Sequence, residues 1–199
     1  VYVIVNSPIS YRGYEIELPR ISLSGKSQTI PAYEIYYFDV PDYSYEFTTI
    51  ISINTQNDNE EISKETFLIG AAQNIFVSSN NIYITYTTYA EWEKLNWMGN
   101  WGTEKTIIHK ISIANGEIEY KSQGEVPGHV LNQFSMDEYQ GYFRIAITTG
   151  DLWDGGARNH VYVLDEDLHI VGRLEGLAPG ERIYSARFMG NRAYLVTFK

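Results

Sequence analysis

No cysteine occurs among the 199 residues. That excludes a disulfide framework and a thiolate metal centre, but leaves the compartment open, since many exported prokaryotic proteins also lack cysteine. Basic residues are short as well: 15 Lys and Arg stand against 25 Asp and Glu, a formal net charge of −10. Nucleic acid and anionic membrane both demand a basic stripe, so neither is expected as a partner. No run approaches the ~18 uninterrupted apolar residues of a membrane span, and the first residues read as strand rather than signal peptide. Alanine and leucine are sparse, whereas tyrosine is used 17 times and β-branched residues are abundant, a usage that favours strands over helices. A chain of this length can bury about 70% of the surface its unfolded form exposes, enough for a core without staples.

A β-rich unit returns along the chain. Asn81–Thr88, Tyr142–Thr149 and Arg192–Thr197 occupy the same place in it, and Val1–Val5 resembles an earlier copy. Four strands are predicted per unit, from period-2 or short apolar runs bounded by turn residues. The fullest unit has Asn74–Ser78, Ile82–Thr88, Thr106–Ile113 and Ile118–Val126. Its Asn115-Gly116 pair is the strongest hairpin signal in the chain, because both central positions of a type I′ turn need positive φ. The next unit has Gln133–Met136, Tyr142–Thr149, His160–Leu164 and His169–Leu177, with Asp165-Glu166-Asp167 as its outer turn. Ile183–Phe188 and Arg192–Phe198 follow, while Val1–Val5, Thr48–Ile53 and Lys64–Gly70 precede as second, third and fourth strands.

Repeats built only from strands point to a β-propeller, and the same spacing also allows a β-sandwich. Two details favour the propeller. Glu125-Val126-Pro127-Gly128-His129 and Leu177-Ala178-Pro179-Gly180-Glu181 are similar linkers, each delivering the chain to a first strand. Second strands also lack polar and apolar alternation, as expected where sheets bury both faces. The expected fold is therefore all-β: a propeller segment of about three four-stranded antiparallel blades over residues 1–199, with an aromatic-rich hairpin or loop region inserted at 11–47. The strand count 2-3-4, 1-2-3-4, 1-2-3-4, 1-2 reads as a piece of a longer ring, whose open sheet edges invite self-association.

Lys110-Ile111-Ser112, Gly116-Glu117-Ile118, Val126-Pro127-Gly128, Gln133–Glu138 and Tyr142–Ala146, continued by Val161–Asp165, Gly172–Glu181 and Tyr184–Phe188, resemble secreted archaeal and bacterial β-propeller proteins described as distant relatives of WD repeats. The resemblance covers most of residues 64–199. It implies a propeller fold and an extracellular or cell-surface location, and it brings no catalytic residues with it.

In a propeller, the loops from strand 2 to strand 3 leave the same face as the linkers between blades. The long insertions, Asn6–Phe47, Tyr89–Lys105 and Gly150–Asn159, all fall at the 2-to-3 position, nominating that face for binding. Every tryptophan lies in the last two: Trp92, Trp97 and Trp101 in one, and Trp153 with Asp151 and Asp154 in the other. Such residues suit stacking on sugar rings or gripping a peptide, and equally suit a small satellite core that pins the loops. Asp151–Gly156 offers oxygen ligands for calcium but lacks the EF-hand spacing, and a solvated acidic turn explains it as well.

His109, His129, His160 and His169 show no metal-ligand spacing, no Gly-x-Ser-x-Gly elbow is present, and no metal or cofactor is assigned. The carboxylates Asp39, Asp42 and Glu46 among Tyr36, Tyr37, Phe38, Tyr43, Tyr45 and Phe47 form either a glycosidase-like mixture or an extra hairpin on the blade edge. The expected role is an exported interaction or ligand-binding module for protein or glycan. Its rivals are a carbohydrate-active enzyme with loop carboxylates around the channel, and a structural cell-envelope protein.

Overall fold

The structure, a computed structural model, describes residues 1–23, 25–38, 45–57, 62–89 and 104–199. The described residues contain strands and short 3-10 turns, without an α-helix. The chain divides into two compact units, Val1–Ala72 with Ser112–Glu119, and Gln73–Ile111 with Tyr120–Lys199.

In the first unit, β1 (Tyr2–Pro8) is followed by two hairpins, β2 (Ser10–Arg12) with β3 (Glu15–Glu17) and β4 (Arg20–Leu23) with β5 (Lys26–Thr29). Then come β6 (Ile35–Tyr37), β7 (Tyr45–Ser52) and β8 (Ser63–Gly70), in a sheet of order β1-β7-β8-β6. The three expected strands thus pair as second, third and fourth, antiparallel throughout. Strand β6 adds a finding: the inserted region returns to the sheet and pairs parallel with β8. Tyr36 stacks on the buried Phe67 at 5.3 Å, giving that short strand an apolar reason to dock. In the Ser112–Glu119 turn, Asn115 and Gly116 have φ of 58° and 84°, and the Glu117 amide closes on the Ala114 carbonyl at 3.2 Å, as the sequence predicts.

The second unit holds three sheets. β9 (Asn74–Val77), β10 (Asn81–Tyr89), β11 (Glu104–Ser112) and β12 (Glu119–Pro127) form the first, in meander order. β13 (His129–Val130), β14 (Met136–Tyr139), β15 (Tyr142–Thr149), β16 (Arg158–Leu164) and β17 (Ile170–Leu177) form the second, and β18 (Arg182–Met189) with β19 (Arg192–Phe198) the third. The expected strand Gln133–Met136 needs correction. Only Met136 is extended, because the Asn132 side chain caps the Phe134 amide at 3.0 Å and turns Gln133–Ser135 into a 3-10 segment. Strand β15 is consequently met by two short partners, β13 and β14.

Strand β15 shows how the sheets stack. Phe143, Ile145 and Ile147, all fully buried, join Tyr83, Ile108 and Val126 of the preceding sheet, and Phe143 lies on Tyr83 at 4.2 Å. Ala146, on the opposite side, meets Ile183 and Ala186 of the following sheet. A strand covered on both sides has no polar face, which is why alternation is missing from its sequence. The first-position strands of the three sheets converge as well. Phe76 and Val77, Phe134 and Met136, and Arg187 and Phe188 line a common groove of about 420 Å3. Meanders stacked in chain order around converging first strands make blades rather than the two layers of a sandwich.

Polar clasps hold the edge away from the long loops. The Glu138 carboxylate accepts from Ser78 Oγ at 2.7 Å, Asn81 Nδ2 at 2.9 Å and Tyr83 Oη at 2.9 Å, tying the β9–β10 turn to β14. Burial, with Glu138 beside it, pushes the Tyr83 phenol far above its ordinary value. Arg144 donates to Asp137 and, through Nη1, to the Gly190 carbonyl at 2.8 Å, tying β15 to the β18–β19 turn. Its guanidinium also lies over the rings of Tyr139 and Phe188.

Candidate functional site at the loop-bearing edge

At the other end of the same strands, the chain leaves β10 at Tyr89 and re-enters at Glu104, and it leaves β15 at Thr149 and re-enters at Arg158. The linkers between sheets arrive at this edge. Gly128 donates its amide to the Glu104 carbonyl at 2.7 Å, and the Gly180 amide reaches the Ala157 carbonyl at 2.9 Å. Gly128 is required: its φ is +85°, and a Cβ there would sit 2.3 Å from the Thr148 carbonyl oxygen. In this unit the 2-to-3 connections and the Pro-Gly linkers therefore share one edge, as the repeat predicts.

Asn159, fully buried, organises the second linker. Its Nδ2 donates to the carbonyls of Leu177 at 3.2 Å and Glu181 at 2.9 Å, while its Oδ1 accepts from Thr148 Oγ1 at 2.8 Å. Thr148 Oγ1 in turn receives the Ile183 amide, so one amide side chain sets the path into β18. Nothing in the sequence marked Asn159, since its partners lie 11 residues back and 18 or more residues on.

A polar cluster forms where the first linker meets β11. His129 Nδ1 pairs with Glu104 Oε2 at 2.8 Å, and Tyr89 Oη donates to Glu104 Oε1 at 3.4 Å. Burial, then Glu104 and Asp151, raise the Tyr89 phenol above its usual value, keeping it a donor. His129, read in the sequence only as lacking metal spacing, is held by a carboxylate, with Nε2 as acceptor in the neutral ring. Beside it, a cleft of about 320 Å3 is lined by His129, Leu131, Asn132, Thr148, Arg182, Ile183 and Tyr184.

Of the residues nominated from the sequence, Trp153 is fully exposed on the segment after β15. Asp154 Oδ1 accepts the Gly156 amide at 2.7 Å, and the Asp151 carbonyl accepts the Ala157 amide at 2.9 Å. These bonds make the segment a self-satisfied Asx turn. No group of three or more His, Asp or Glu poised for a metal occurs among the described residues. Trp92, Trp97 and Trp101 lie outside the described residues, as do Asp39, Asp42 and Tyr43. Glu46 is described, half-buried on β7 opposite Ile69.

The beta propeller domain family model matches residues 1–199. The chain belongs to that family. This β-propeller domain is 50% identical, over 48% of its own length, to an uncharacterized protein of Methanocaldococcus jannaschii, of which it covers 15%. It is 27% identical, over its whole length, to an uncharacterized protein of Archaeoglobus fulgidus, of which it covers 42%. The domain thus spans less than half the length of the curated relatives it matches. No solved structure matches it.

Proposed function

We propose that this β-propeller domain is an exported interaction or ligand-binding module, and that it meets a protein or glycan ligand with the edge bearing the 2-to-3 loops. One observation supports this most: long connections and inter-sheet linkers leave a rigid stack at one edge, where Trp153 is fully exposed. Trp92, Trp97 and Trp101 belong by sequence to the β10–β11 connection that leaves the same edge. Export rests on the resemblance to secreted propeller proteins. The test is a glycan and peptide array probed with the chain, then with Trp97→Ala, Trp101→Ala and Trp153→Ala. Binding lost in these variants with unchanged thermal unfolding supports the proposal. Binding that survives all three removes the tryptophans from the contact surface.

A further inference from the structure

The loop-bearing edge holds a second feature, lined among the described residues without a tryptophan: the cleft between β13 and the start of β18. Its polar groups are complementary to a particular chemistry. Arg182 lines it, and among the described residues its guanidinium has no side-chain or backbone acceptor. A guanidinium offers five donors in a planar fork that fits a carboxylate in two-point fashion. Asn132 uses its Oδ1 on the Phe134 amide, which leaves Nδ2 as a donor. His129 has Nδ1 engaged by Glu104, so the neutral ring presents Nε2 as an acceptor suited to a hydroxyl.

Tyr184 is 62% exposed and stands at 82° to Phe198 with ring centroids 5.5 Å apart, so much of its ring surface remains accessible to a sugar ring. The neighbouring carboxylates are already engaged. Glu104 accepts from His129 and Tyr89, and Glu181 Oε2 accepts from Thr197 at 2.5 Å. From Gln140 onward seven basic and seven acidic residues cancel, so the segment that supplies Arg182 and Tyr184 carries no net charge.

We infer that this cleft binds a carboxylate-bearing sugar, a uronic acid residue of an acidic glycan, with the carboxylate on Arg182, ring hydroxyls on His129 Nε2 and Asn132 Nδ2, and the ring against Tyr184. About 320 Å3 accommodates one to two sugar rings. The inference deepens the ligand-binding proposal and rests on it for the choice of face, but not on the tryptophans.

The test titrates the chain with galacturonic and glucuronic acid and their short oligomers, alongside galactose, glucose and an acidic C-terminal peptide, by calorimetry and by NMR shifts of the His129 and Tyr184 rings. Uronates are expected to bind at least tenfold tighter than the neutral sugars. Arg182→Ala should abolish that preference, Arg182→Lys should restore part of it, and Trp97→Ala should leave it intact. Uronates that bind no better than neutral sugars, a preference unmoved by Arg182→Ala, or a response to the peptide alone would each overturn the inference. If Arg182→Ala fails to fold, absence of uronate-induced shifts at Tyr184 in the unmodified chain decides against it equally. Array binding that depends on Trp97 but ignores Arg182 leaves the ligand-binding proposal standing and sinks the cleft alone.

Discussion

Strand β15 and the hairpins between Ser10 and Thr29 are both antiparallel β-structure, yet they stand at opposite ends of burial. Phe143, Ile145, Ala146 and Ile147 have no accessible surface, whereas Tyr11, Tyr14 and Ile16 are 67%, 106% and 45% exposed. Ladder hydrogen bonds are made in both places. What differs is whether a second layer covers the pleat, and for β-structure that layer supplies most of the stability.

The largest expected effect separates the two regions directly. Phe143→Ala removes a buried ring stacked on Tyr83 and should cost about 3–5 kcal/mol in urea unfolding, while Tyr14→Ala should stay within about 0.5 kcal/mol. Equal losses would show that the hairpins are packed as tightly as the sheet stack.

A second contrast is one of acid sensitivity. His109, buried between Tyr86 and Tyr120, has its imidazole pushed down to about 4 by burial. The unfolded ring takes up its proton near 6.5, so the unfolded chain binds more protons between the two values. Stability is therefore complete above pH 6.5 and falls, by roughly 3 kcal/mol from this one group, as pH drops to about 4. His109→Phe should flatten that slope in unfolding measured across the interval. No change of slope would place the acid-sensitive group elsewhere.

The third contrast sets two glycines side by side. Gly128→Ala combines positive φ with a Cβ driven into the Thr148 carbonyl, and should cost about 2–4 kcal/mol by thermal unfolding. Gly13→Ala has a similar φ of +68° with open space around it, so about 1 kcal/mol is expected, confined to its hairpin.

The smallest effect concerns the clasp. Glu138→Gln keeps an acceptor oxygen near Ser78, Asn81 and Tyr83 but loses the charge, for about 1–2 kcal/mol. The Tyr83 phenol should then titrate lower, because one of the influences raising it is gone. An unchanged phenol titration would leave burial as the sole cause.

Local signals were legible where the chemistry is local. Asn115-Gly116 announces its turn because few other pairs tolerate two positive φ angles, and the Pro-Gly linkers are found where glycine is sterically required. The second strands β10 and β15 declared themselves by the absence of polar and apolar alternation, and both are buried on both faces. Long-range chemistry was not legible. β6 is three residues whose partner lies about 30 positions on, and no periodicity can be read from so short a segment. At Gln133–Ser135 the Asn132 side chain competes with the extended backbone expected there and wins locally, giving a 3-10 turn. The Glu104–His129 pair spans 25 residues, and Arg182 reaches its cleft only through the Asn159 network. Four tryptophans were visible from the sequence because their residue type is rare. The polar groups of the cleft were not, because arginine, histidine and asparagine are ordinary anywhere.

The clasps of Glu138 and Arg144 lie at the far end of the strands from residues 150–157 and from the β10–β11 connection. These contacts tie neighbouring sheets together at the end opposite the long connections, in addition to the Asn159 and linker contacts at the loop-bearing edge. A change in the length of a 2-to-3 connection therefore leaves the Glu138 and Arg144 contacts, and the sheet pairing they hold, untouched.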